Sequence, residues 1–78
     1  MQLKQLGPNM TELIFPGVSV LFSYETPVAG YKRTLFKTER KYSRTTTKHI
    51  NKYLKEQWDV DPISVEEVSQ DYIDSLVS

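Results

Sequence analysis

The sequence predicts an α+β fold: a short antiparallel sheet of three or four strands followed by two amphipathic helices. Three observations predict it. Apolar and polar residues alternate with period two in much of the span 11–42, as in half-buried strands. The period lengthens to that of a helix near Ser43. The segment Ser64-Val-Glu-Glu67 then carries the residue types of a capping box, which opens a second helix.

Residues 1–10 (MQLKQLGPNM) show little pattern and contain a Gly7-Pro8 breaker, which predicts a loop or a ragged end. Thr11 to Phe15 is a short strand. It is closed by Pro16-Gly17, where proline presets φ and glycine supplies the positive φ of a type II turn. Val18, Val20, Phe22 and Tyr24 alternate with smaller or polar neighbours, giving a second strand. Pro27 cannot donate to a ladder, so it marks an edge, a bulge or the start of a new strand. Gly30 to Arg33 can turn. Thr34 to Tyr42 alternates again, without proline or glycine. A sheet this short needs one face covered, and the two helices are the available cover.

The first helix is expected over residues 45–57. Thr46, Ile50, Tyr53, Leu54 and Gln57 share one sector, and Arg44, Lys48, Asn51, Lys52 and Lys55 the opposite one. Asp59-Val-Asp-Pro62 ends it, because the residue before proline avoids the α region. In the second helix Ser64 caps, Glu67 reaches back, and Ile63 and Val68 staple. Val65, Val68, Tyr72, Ile73 and Leu76 form its apolar face, opposite Glu66, Glu67, Asp71 and Asp74.

Seventy-eight residues make one domain, 1–78, which buries only about 60% of its unfolded surface. With no cysteine there is no disulfide and no thiolate zinc site. A thin core and a possible free sheet edge make a homodimer plausible. No signal-peptide pattern opens the chain, and its most apolar run, Val18 to Phe22, falls far short of the roughly 20 residues that span a bilayer. The expectation is a soluble cytoplasmic protein with no membrane partner.

The net charge of zero conceals a segregated chain. Residues 32–55 hold nine bases against Glu39, a net charge of +8. Residues 56–78 hold seven acids and no base, a net charge of −7. Blocks of this kind create local fields that the total hides.

Two stretches, Phe22–Tyr31 (FSYETPVAGY) and Tyr42–Leu54 (YSRTTTKHINKYL), resemble a pattern in small uncharacterised bacteriophage and prophage proteins. The matching positions are Ser23, Tyr24, Thr26 to Ala29, Ser43, Thr45, Thr46 and Lys48 to Asn51. They cover under half of the chain and leave out the acidic end. The resemblance implies a phage origin and a small accessory role, and no mechanism.

Catalysis has little support. A lone histidine excludes a histidine-rich metal site. A Ser43–His49–Asp set has no nucleophile-elbow context, the acid pairs read as solvated, and no glycine-rich phosphate loop occurs. The chain therefore reads as non-enzymatic, with no cofactor. Its strongest signal is the basic block. Lys37, Arg40, Lys41, Arg44, Lys48, Lys52 and Lys55 surround the hydroxyls of Thr45, Thr46 and Thr47 at a helix start, where backbone amides favour anions. These are the groups that contact nucleic-acid backbones. Tyr31, Tyr42 and Tyr53 could add stacking, although Tyr53 reads as core.

Three readings compete. The basic stripe binds nucleic acid; or the chain is a phage inhibitor of a host protein, a defence or transcription component that handles nucleic acid, using Glu66, Glu67, Asp71 and Asp74 of the acidic C-terminal helix; or the stripe is an ordinary solvated helix face. One geometric fact separates the first from the last: whether the acidic helix lies against the basic one and cancels its field.

Overall fold

The computed structural model describes residues 2–77. Six strands form one mixed sheet in sequence order: β1 (Gln2–Gly7), β2 (Met10–Phe15), β3 (Val18–Ser23), β4 (Thr26–Lys32), β5 (Thr34–Thr38) and β6 (Glu66–Val68). Helix α1 (Arg44–Trp58) and a 3-10 turn, Pro62–Ser64, connect β5 to β6, and α2 (Gln70–Val77) follows. The first five strands pair antiparallel, whereas β6 pairs parallel to β5. The expectation of three or four antiparallel strands is thus corrected to six strands in a mixed sheet.

Two segments account for the difference. The first is residues 2–7, which form an edge strand rather than a loop. Pro8 and Asn9 close the β1–β2 hairpin, with Asn9 at φ 61°. That repeats the chemistry of Pro16-Gly17, where Gly17 sits at φ 79°. The second is Ser64-Val-Glu-Glu67, which does not cap a helix. Ser64 ends the 3-10 turn, and Glu66 to Val68 join the sheet edge. Helix α2 starts five residues later than that signature implies. Its first turn is held by Ser69, whose Oγ accepts from the Tyr72 amide at 3.2 Å. Ile63, assigned to the hydrophobic staple, is 89% exposed.

Side chains alternate across the sheet, and the two helices cover opposite faces. On one face Leu21 and Ala29 pack with Met10, Val28 and Val65 against Ile50, Tyr53 and Leu54 of α1. On the other, Val20 and Phe36 pack against Ile73, with Leu76, Val77, Phe22 and Val68 around them. Val20 and Leu21 are consecutive in β3, yet they belong to different clusters. Pro27 sits at a bulge: Leu21 pairs with Ala29 and Phe22 with Pro27, which leaves Val28 as the extra residue.

Among the described residues no helix is long and apolar enough to cross a membrane.

Candidate nucleic-acid interface

Helix α1 carries the candidate residues, and Ser43 sets where it begins. Its Oγ accepts from the Thr46 amide at 3.2 Å, an N-cap with extended backbone. The Thr47 hydroxyl donates to the Ser43 carbonyl at 3.3 Å. At the far end Asp59 adopts the left-handed conformation, φ 54°, and closes the last turn. The buried residues are Thr46, Ile50, Tyr53 and Leu54, so the basic sector faces outward.

The predicted residues do not act as one group. Lys41, Arg44, Thr47 and Lys48 line a shallow groove with Tyr42 and Ser43, and all six are exposed. Lys52, one turn further on, is exposed as well, and so is Thr45. Lys55 lies at the other end, in a depression with Asp59 and Asp61. Arg40 shares a separate depression with Glu39, Ser69, Gln70 and Asp71. Lys37 is committed elsewhere, its Nζ donating to the Pro62 carbonyl at 2.8 Å. Thr46 is 7% exposed, and its Oγ1 accepts from Ser23 at 3.2 Å and from Ser43 at 3.4 Å. It ties the helix start to the sheet and offers no hydroxyl to solvent.

His49 also faces this junction. Its Nδ1 lies 2.7 Å from Ser23 Oγ, and its ring is 5.8 Å from that of Tyr24. Burial, and then the positive charge of Lys52, hold the imidazole below the usual histidine value. Ser23 is only 2% exposed, so this serine–histidine contact presents no nucleophile to solvent.

The aromatic residues sort differently from the sequence expectation. Tyr53 is core. Tyr31 stacks on Trp58 with ring centres 5.1 Å apart. Tyr42 is exposed in the groove, and Tyr24, which sequence reasoning passed over as a strand residue, is exposed at the β3–β4 turn. Pro27, three residues on, was the available signal that the strand ends before Tyr24.

The acidic residues form no single surface. The β5–β6 register puts Glu66 opposite Phe36 and Glu67 opposite Lys37, so consecutive acids project from opposite faces. Asp74 accepts from Gln70 Nε2 at 2.9 Å. Asp71 is exposed at the start of α2. Because α2 packs on the face of the sheet opposite α1, its acids do not lie alongside Arg44, Lys48 and Lys52.

The model of a family of unknown function, DUF8033, matches residues 1–75. The chain belongs to that family. No curated protein and no solved structure matches it. The family match covers the whole sheet, α1 and most of α2, but its description assigns no activity.

Proposed function

We propose that this protein is a non-enzymatic, phage-type accessory protein that binds nucleic acid through the outward face of α1 and the segment before it. One observation carries the reading: α1 opens with Arg44 and has no acid in its first turn. The N-terminal end of a helix is already positive, so cations there oppose helix stability. A helix selected only for solubility favours acids at that end, as α2 shows with Asp71. Lys41, Thr47 and Lys52 complete a surface of cations and hydroxyls suited to phosphates. The sheet separates this surface from the acidic helix, which supports an uncancelled field.

Phage origin is supported by the resemblance of Phe22–Tyr31 and Tyr42–Leu54 to phage proteins. Action in the host cytoplasm follows from that origin. The outer edge of β1 lies beyond the last pairing of the sheet, which supports a homodimer.

Titration against labelled DNA and RNA at two salt concentrations tests the reading. Binding at low salt is expected to weaken steeply as salt rises. No binding at low salt, or binding indifferent to salt, overturns it.

A second reading, inhibition of a host nucleic-acid-handling protein, draws on a different groove. Thr34, Phe36 and Tyr72 line it together with Glu66 and Glu67, an apolar floor with acids that suits a basic protein segment. A specific protein partner retained from host lysate after nuclease treatment favours this reading. Recovery of nucleic acid alone favours the first.

A further inference from the structure

Tyr24 occupies a position that its backbone does not suit. Ser23 pairs with Thr26, so Tyr24 and Glu25 form a two-residue hairpin loop. Tyr24 holds φ 58°, and Glu25 is not among the residues with positive φ. Glycine is the residue that favours positive φ at the first of two loop positions, and a bulky side chain there is strained. The ring is 52% exposed, and among the described residues it lies beside the His49 ring, 5.8 Å away. Neither turn geometry nor core packing therefore accounts for a tyrosine here.

Tyr42 is the second exposed ring at this end, 40% open to solvent in the groove with Lys41, Arg44 and Lys48. The hydrogen bonds already described bring the two together. Ser23 and Ser43 both donate to Thr46 Oγ1, at 3.2 and 3.4 Å. Tyr24 follows the first serine, and its ring lies 5.8 Å from that of His49; Tyr42 precedes the second and lines the groove with Arg44 and Lys48, so both residues stand near the first turns of α1.

We propose that Tyr24 and Tyr42 are stacking platforms for bases, and that the basic surface takes a single-stranded nucleic acid rather than a duplex. This rests on the nucleic-acid reading above and names the ligand class. A duplex hides the faces of its bases and needs only cations and hydroxyls on its phosphates. A single strand offers base faces, and exposed aromatic rings beside a basic track are what hold it. Glu25, exposed next to Tyr24, repels phosphate at the hairpin tip and directs the backbone towards Arg44, Lys48 and Lys52.

The test is fluorescence anisotropy with the full chain at low salt. The probes are a labelled oligothymidine of about 12 nucleotides and a duplex of the same length. The single strand is expected to bind more tightly than the duplex. Tyr24→Gly is expected to weaken single-strand binding roughly tenfold while the melting temperature holds or rises, because the strain is relieved. Tyr42→Ala, outside the strained loop, is expected to weaken it similarly, and Tyr24→Trp to retain it. Equal or tighter binding of the duplex overturns the proposal. So does unchanged single-strand affinity in both Tyr24→Gly and Tyr42→Ala; if Arg44→Glu still weakens binding, the nucleic-acid reading survives without stacking. Failure of both probes to bind at low salt removes both.

Discussion

Glu12 is a carboxylate buried in the sheet face that α1 covers, 5% exposed, and one hydrogen bond accounts for it. The Tyr53 hydroxyl donates to its Oε2 at 2.6 Å, joining β2 to the middle of α1. Burial, and then the bond to Glu12, push the phenol well above its ordinary value of 10.0, so it stays a donor through any ordinary pH range. Charge-assisted bonds of this kind are stronger than neutral ones. The cost of breaking one is asymmetric, because the buried carboxylate is left without its donor. Tyr53→Phe, which keeps the ring packing, is therefore expected to destabilise the fold by about 1–3 kcal/mol. In a domain of this size that lowers the melting temperature by roughly 5–20 °C. Glu12→Gln keeps an acceptor for the phenol and is expected to cost less. Urea unfolding of the two variants ranks them, and a Tyr53→Phe protein as stable as the parent would show that the pair contributes nothing.

At the scale of elements, Gly30 is the glycine most closely approached by its neighbours. A Cβ there would strike the Ser19 carbonyl oxygen and lie 3.0 Å from both the Phe36 ring and Val20 Cα. Phe36 is the partner of Gly30 across β4 and β5, so the ring covers the backbone that glycine leaves bare. Gly30→Ala is expected to cost about 1–3 kcal/mol through displaced backbone and ring. Gly7→Ala, whose Cβ meets only Met10 Sδ at 3.9 Å, is expected to be near neutral. Comparing their urea midpoints checks the contrast. The same closeness of strands shows what sequence pattern can and cannot read. Helix α1 was legible because four buried residues recur at helical spacing over fifteen. Strand β6 was not, because Val65 and Val68 are three apart: one face on a helix, opposite faces on a strand. Val65 packs with the α1 cluster and Val68 with the α2 cluster, so a misleading spacing joins the two halves of the core. Strand β1 was hidden by its polarity, since an edge strand needs little apolar surface once β2 supplies a partner. In the candidate site the exposed cations of α1 followed from the period. The loss of Lys37 to Pro62 and of Thr46 to Ser23 did not, because both partners are more than twenty residues away in sequence.

The whole molecule is organised by charge as much as by packing. A sheet with one helix on each face keeps a basic helix and an acidic one apart, although the chain is neutral in total. The exposed cations of α1 and the acids of α2 thus lie on opposite sides of the sheet, and their local fields differ although the total charge is zero. A site that depends on such a field should oppose stability locally, and the start of α1 is where that opposition is measurable. Arg44 stands at the first helical position, where the unpaired amides make the helix end positive. Replacing it by an acid removes one repulsion and adds an attraction. Arg44→Glu is therefore expected to stabilise the fold by about 0.3–1 kcal/mol at low salt. On the proposed nucleic-acid reading, the same substitution removes one phosphate contact and repels another, so it should weaken binding and reduce the salt slope by about one. Chemical denaturation and a salt-dependent titration on the same preparation read both effects. Opposite signs, a more stable protein that binds less, identify the start of α1 as a surface kept for binding against the preference of its own helix. Higher stability with unchanged binding would make Arg44 an ordinary solvated residue.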